Sequence, residues 1–147
     1  MKNNLTSGIL ASLLILMFLY AATSKLMDFE TYERAMHNQP FPDWMAEALI
    51  YGIPPLEVIV SLLLFRDRTR LLGFYGSGLL MLSFTIYIAA ILLHFFPWVP
   101  CSCGGVISHL GWGQHLIFNL FFLAVALWGM SLERQAMLTD RLSKKKF

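Results

Sequence analysis

The two cysteines of the chain, Cys101 and Cys103, are separated by one residue and flanked by proline and glycine. Pro100 favours an extended backbone at the residue before it, and Gly104 and Gly105 tolerate positive φ, so the chain can bend sharply here. A disulfide within Cys-x-Cys closes too small a ring to stabilise a fold strongly, and a strained bond is labile. The pattern favours a pair of cysteines that exchanges disulfides, and a structural disulfide is the alternative.

Histidines follow the cysteines closely in the sequence. A thiolate becomes reactive at neutral pH beside a positive charge, a helix N-terminus or a general base. The start of the last apolar segment offers a helix N-terminus together with His115, and Asn119 lies four residues later on the same predicted helix face. We therefore expect His115 or His109 to take a proton from the cysteine pair.

The same four residues, Cys101, Cys103, His109 and His115, also form a set of two thiolates and two imidazoles. Such a set suits zinc or copper, although the spacing matches no common zinc finger. Metal binding or handling is therefore an alternative function. A further alternative is a non-enzymatic accessory subunit that docks a partner and uses its cysteines only as a local clasp.

The chain that positions these residues is strongly apolar. Of 147 residues, 57% are hydrophobic and 14% are charged, which is too apolar for an ordinary soluble domain. A spanning helix needs about 20 apolar residues, and four segments qualify: 6–27, 45–65, 71–95 and 114–132. We predict an all-α membrane protein, a single four-helix transmembrane domain over residues 1–147, in contact with the lipid bilayer and not with nucleic acid.

Basic residues predict the orientation of these spans. Nine of the eleven Lys and Arg residues lie in segments that share a side with both termini, and only Lys25 and Arg34 lie on the other side. This bias predicts two cytoplasmic termini, with segments 28–43 and 96–113 outside, which for a bacterial inner membrane is the periplasmic side. A cysteine pair can persist there as a disulfide. The first apolar run exceeds a signal-peptide core, so we expect an uncleaved span. We expect the run Lys144–Lys146 on a flexible tail.

A short amphipathic helix is predicted over residues 28–38, on the outer membrane surface between the first two spans. Asp28 is a plausible N-cap, and Phe29, Tyr32 and Met36 share one face at helical spacing.

Two charged residues of the spans are further candidates. Glu57 follows Pro54 and Pro55, which should kink or loosen the second span. An acid within the membrane is either a functional site or a hydrogen-bonded tie between helices, and we expect hydroxyl groups as its main partners, with Lys25 a more superficial one. Lys25 itself is expected to extend to the headgroups as an interfacial anchor rather than to act in catalysis.

The third span contains a packing pattern and two polar candidates. Gly73 and Ser77 form a small-residue surface that lets helices approach closely. Tyr87 and His94 are seven residues apart and are expected to share a face, with His94 hydrogen-bonding at the outer rim.

Several motifs together resemble one membrane family. These are Pro100-Cys101-Ser102-Cys103-Gly104-Gly105, the step from Leu110 to Trp112, His115 and Asn119, Ser24-Lys25-Leu26, Pro55-Leu56-Glu57, and Tyr87-Ile88. The pattern resembles the family that groups methylamine-utilisation protein E with DoxX, and it covers nearly the whole chain. The resemblance implies a four-helix, redox-associated protein that supports disulfide formation or electron flow to extracytoplasmic proteins, with a thioredoxin-like protein as the expected partner.

A weaker likeness is to four-helix, quinone-coupled thiol oxidoreductases of the vitamin K epoxide reductase and disulfide-bond B type. Those proteins place a Cys-x-x-Cys beside a quinone and usually carry a second cysteine pair. This chain has only one pair, so an internal thiol relay is excluded. Exchange between that pair and a quinone stays open, and no cofactor is firmly implied.

Overall fold

The computed structural model describes residues 2–98 and 111–146, and these residues form five helices. The helices are α1 (Lys2–Met27), α2 (Phe29–His37), α3 (Asp43–Phe65), α4 (Arg70–Leu92) and α5 (Trp112–Lys145). All except α2 are long and apolar enough to cross a membrane. The prediction of an all-α membrane protein with four spans and a short helix after the first is confirmed.

The four long helices form a ring. Helix α1 packs against α3 and α5, α4 packs against the same two helices, and α2 lies mainly against α3. Since successive spans run in opposite directions, Met27, Asp43, Leu92 and Trp112 end or begin helices at the same end of the bundle. We call this the loop end, because α2 and the cysteine segment 99–110 connect helices there. The opposite end, with the turn between Phe65 and Arg70, is the basic end.

The hydrophobic core fills the basic half of the ring. Its central side chains, Leu14, Phe18, Leu64 and Phe74, are fully buried. Large apolar side chains on the outer faces of the spans, such as Leu62 at 62% exposure, remain uncovered. This distribution is the one expected when lipid covers the outside of the bundle.

Small residues bring the helices of this core close together, as predicted for Gly73 and Ser77. A Cβ at Gly73 would lie 2.7 Å from the backbone nitrogen of Leu64, so α4 contacts α3 almost backbone to backbone. Ser77 is buried and donates to the Gly73 carbonyl at 2.8 Å. On α5, a Cβ at Gly129 would overlap the ring of Phe74.

A polar cluster closes the basic end of the core. Ser7 of α1 is 2% exposed and donates to the carboxylate of Glu133 on α5, and the Arg70 guanidinium lies 3.7 Å from the same carboxylate. The cluster therefore connects three spans. The spacing of these residues along the chain carries no signal of this contact.

Helix boundaries differ from the predictions, most of all at the end of α5. A flexible tail was expected after the last span, but helix α5 continues to Lys145. The helix continues because residues 132–145 contain neither proline nor glycine and Asp140 pairs with Lys144 at 3.0 Å. Helix α4 ends at Leu92, three residues before the predicted boundary. Helix α3 continues through Pro54 and Pro55 without interruption.

Candidate functional site: the cavity at the loop end

A cavity of about 930 Å³ occupies the loop half of the ring, and side chains of all five helices line it. Its walls are mainly aliphatic and aromatic. The side chains with polar atoms that line it are Tyr20, Lys25, Tyr32, Gln39, Glu57, Ser83, Tyr87, Trp112, His115 and Asn119. Leu16 and Tyr20 also line the cavity and are 67% and 60% exposed, so it opens sideways to the surroundings of the bundle.

An ion pair between α1 and α3 lies in this cavity. The Lys25 Nζ is 2.8 Å from Oε1 of Glu57, and the two side chains are 14% and 3% exposed. The same ammonium lies 3.4 Å from the carbonyl of Ala21, one turn earlier in α1. The Lys25 side chain therefore runs back along the helix into the bundle. The predicted interfacial anchor is wrong, because a buried carboxylate without a counter-charge is costlier than bringing the lysine inside.

Glu57 is bonded differently from the expectation. Its partner is Lys25 rather than a hydroxyl group, and Ser61 donates to the backbone carbonyl of Glu57 instead of its carboxylate. Glu57 lies about 21 Å along the helix from Asp43 and about 12 Å from Phe65, well inside the span. Its second carboxylate oxygen, Oε2, is buried and has no hydrogen-bond partner in the described part of the chain.

Helix α2 covers one side of the cavity. Asp28 is the N-cap of α2, as predicted, and its side chain accepts a hydrogen bond from the Thr31 amide at 3.3 Å. Tyr32 is 4% exposed and donates to the Leu49 carbonyl on α3 at 3.3 Å. Burial raises the pKa of Tyr32, and the carboxylate of Glu57 raises it further, so Tyr32 stays a neutral donor.

Gln39, which the sequence analysis did not single out, connects the end of α2 to α4. It is 8% exposed, accepts from the Tyr87 hydroxyl and donates to the Ala35 carbonyl at 3.1 Å. Its signal was present in the sequence, since Tyr32, Ala35 and Gln39 continue one helical stripe at spacings of three and four. Tyr87 thus faces the cavity through this contact.

His94 does not join the cavity. It has φ 56° and follows the end of α4, where its amide donates to Ile91 and the Phe95 amide donates to Ala90, both at 3.0 Å. These two bonds define a Schellman motif, in which the residue at the His94 position takes the left-handed conformation. The prediction that His94 shares a helix face with Tyr87 is therefore wrong, because the helix ends before His94.

The first turns of α5 bring two predicted residues into the cavity. His115 and Asn119 both line it, and Asn119 is 8% exposed. The helix start is held by Gln114, whose side chain accepts from the Gly111 amide at 3.0 Å. His115 and Asn119 therefore lie on one face of α5, just after the cysteine segment.

Cys101, Cys103 and His109 lie outside the described residues, so their roles as exchange pair, metal ligands or proton acceptor stay predictions. Among residues 2–98 and 111–146 there is no group of three or more side chains arranged to hold a metal ion. Of the predicted metal ligands, that part of the chain contains only His115.

Comparisons with known proteins identify the family. Neither the curated proteins nor the solved structures include a significant match. Residues 3–132 match the family model described as methylamine utilisation protein MauE, which covers most of the chain, including all four spans up to Leu132 of α5. The protein is therefore a multi-pass membrane protein that belongs to the MauE family.

Proposed function

We propose that this protein is a thiol–disulfide redox protein of the bacterial inner membrane, acting at the loop end through Cys101 and Cys103. The observation that supports this most is the set of polar residues in the loop-end cavity. Two of them, His115 and Asn119, lie in the first turns of the helix that follows the cysteine segment. The positive-inside bias favours an extracytoplasmic loop end with both termini in the cytoplasm.

The proposed reaction is an exchange with a thioredoxin-like extracytoplasmic protein. A thiolate of one protein attacks the disulfide of the other and gives a mixed disulfide. The second cysteine of the attacking pair then attacks that mixed disulfide and releases the other protein as a dithiol. One dithiol becomes a disulfide while the other disulfide becomes a dithiol, so two electrons and two protons move between the partners. His115 is the residue of the described chain best placed in sequence and fold to accept a proton from the pair.

The test is to trap that mixed disulfide. Reduced protein in nanodiscs is mixed with an oxidised thioredoxin, quenched with acid, alkylated and analysed by mass spectrometry. We expect Cys101→Ser or Cys103→Ser to abolish completed exchange, and one of the two variants to accumulate the mixed disulfide. Ser102→Ala, between the two cysteines, is the matched control and should exchange normally.

Two outcomes contradict the proposal. Exchange that persists in both single cysteine variants removes the cysteine pair from the reaction. Stoichiometric zinc or copper in the purified protein, lost in the cysteine variants, supports metal handling instead.

The role of His115 needs a separate measurement. A His115→Gln variant keeps a polar side chain but lacks a group that titrates near neutral pH. We expect the exchange rate of this variant to fall most between pH 6 and 8, and the difference from the unmodified protein to shrink above about pH 8.5, where even an unperturbed thiol is largely ionised. A uniform loss at every pH indicates a structural role.

A further inference from the structure

The two halves of the bundle are packed differently. The basic half contains the buried cluster around Leu14, Leu64 and Phe74, whereas the loop half contains the cavity of about 930 Å³. Protein interiors are normally close-packed, and volumes of about 300–1,000 Å³ are typical of small-molecule sites. A space of this size within membrane spans therefore points to a bound molecule.

The polar side of the cavity defines the head of that molecule. Oε2 of Glu57 is buried and without a partner in the described residues, while Oε1 is held by Lys25. The 2.8 Å contact between the Lys25 ammonium and Oε1 makes Glu57 one half of an ion pair, and the oxygens of a carboxylate accept hydrogen bonds. A buried acceptor left unpaired is destabilising, because it has lost its hydrogen bonds to water. The missing partner must therefore supply an O–H or N–H group.

The walls of the cavity define the rest of the molecule. Aromatic side chains from four helices line it, and the rings of Phe41 and Tyr87 lie 5.1 Å apart between centroids. Aromatic walls favour a flat ring. The sideways opening beside Leu16 and Tyr20 lets an apolar tail extend into lipid.

We propose that the cavity binds a quinol, a dihydroxylated aromatic ring on an apolar tail, with one ring hydroxyl donating to Oε2 of Glu57. Because the oxidised quinone lacks that hydroxyl, the site favours the reduced form. This binding site goes beyond the proposed thiol exchange and does not require the cysteines.

The experiment uses a quinol with a ten-carbon tail that carries a diazirine, and its dimethyl ether as the matched probe. The two probes share ring and tail, but the ether has no hydroxyl to donate. The full chain, with both cysteines changed to serine, is placed in phosphatidylcholine nanodiscs with dithionite, illuminated and mapped by mass spectrometry. We expect the quinol to label cavity-lining residues of α1 and α5 about tenfold more than the ether. Removing the cysteines makes this result independent of thiol exchange.

Variants test the assignment of the head group. In Lys25→Met/Glu57→Leu, which removes both charges together, the quinol should label the cavity no more strongly than the ether does. The control Glu47→Gln changes an exposed acid of α3 that does not line the cavity. In this variant the quinol should still label the cavity about tenfold more than the ether.

A second pair of variants does not alter the ion pair. Ser83→Trp adds bulk at an exposed position that lines the cavity and should reduce quinol labelling at least fivefold, whereas Leu82→Trp, at the neighbouring exposed position outside the cavity lining, should not.

Three results would overturn the proposal. The first is equal labelling by quinol and ether in the unmodified cavity. The second is labelling confined to the outer faces of the spans. The third is competition by dodecan-1-ol but not by unlabelled quinol, which would assign the site to an aliphatic alcohol instead.

Discussion

Lys25 and Glu57 are tolerated within the spans because each neutralises the other. Their 2.8 Å contact joins the last turns of α1 to the middle of α3. Removing one member of a buried pair leaves an uncompensated charge, whereas removing both together is often neutral. The ion pair is thus a tie between helices as well as one side of the cavity.

This coupling predicts the stability of variants. Lys25→Met should lower the free energy of unfolding by about 3 kcal/mol, and Lys25→Met/Glu57→Leu should return it to within about 1 kcal/mol of the original protein. The measurement is reversible unfolding in mixed detergent micelles. Lys144→Met, which removes the exposed pair with Asp140, is the control and should change the value by less than about 0.5 kcal/mol. A double variant no more stable than the single one would show that the pair is not coupled.

His94 is a residue whose backbone conformation suits glycine better. Its left-handed φ of 56° costs a residue with a Cβ about 1 kcal/mol or more. His94→Gly should therefore raise the free energy of unfolding by about 0.5–1 kcal/mol, after the greater freedom of glycine in the unfolded chain is taken into account.

The matched control for His94 is another exposed histidine, His37, in the last turn of α2. His37→Gly should lower stability by about 0.5 kcal/mol, because there glycine only loosens a helix. Thermal unfolding of the two variants in one detergent compares their signs directly. A loss of stability in His94→Gly would indicate that the His94 side chain makes a contact worth more than its backbone strain.

At the scale of the helices, the glycine positions decide how closely α4 and α5 approach. Gly129→Ala should lower the free energy of unfolding by about 1–3 kcal/mol, because the added methyl group overlaps the fully buried ring of Phe74. Gly8→Ala is the control, since nothing lies within 4 Å of its Cβ, and helix propensity should raise stability by up to about 1 kcal/mol. Similar effects of the two substitutions on denaturant unfolding would show that α5 does not pack on Phe74 in this way.

Helix α2 is attached to the bundle by few polar contacts, and Gln39 supplies one to Tyr87. Gln39→Leu removes a hydrogen bond worth about 1 kcal/mol, so amide hydrogens of α2 should exchange about fivefold faster. Hydrogen exchange followed by mass spectrometry can compare α2 with α3 in the same sample. Faster exchange in both helices would indicate general destabilisation rather than a local tether.

The spans and their small-residue packing could be predicted because long apolar runs and the Gly73–Ser77 spacing are local features of the sequence. The partners of polar residues could not, since Lys25 and Glu57 are 32 residues apart and Tyr87 and Gln39 are 48 apart. Lys25 was assigned to the headgroups because a lysine near a helix end usually extends outward. Only the three-dimensional arrangement shows that a carboxylate lies within its reach.

At the scale of the whole molecule, most basic residues and the cavity lie at opposite ends of the bundle. The core and the Arg70–Glu133 cluster close the basic end, while the loop end carries the cavity and the connection through the cysteine segment. The proposed thiol exchange with an extracytoplasmic partner requires the loop end to lie outside, where disulfides persist. Nine of eleven basic residues lie toward the other side, which favours that orientation.

This orientation can be measured with a maleimide that does not cross membranes. In right-side-out vesicles treated with a reductant, we expect Cys101 and Cys103 to be labelled. Ser143→Cys, introduced into a chain with both native cysteines changed to serine, should be labelled only in inverted vesicles. Ser143 lies near the end of α5, beyond the core at the basic end, so the two sites report opposite sides. The reverse labelling pattern would place the cysteines in the reducing cytoplasm, where a stable disulfide is rare, and would remove the basis for exchange with an extracytoplasmic partner.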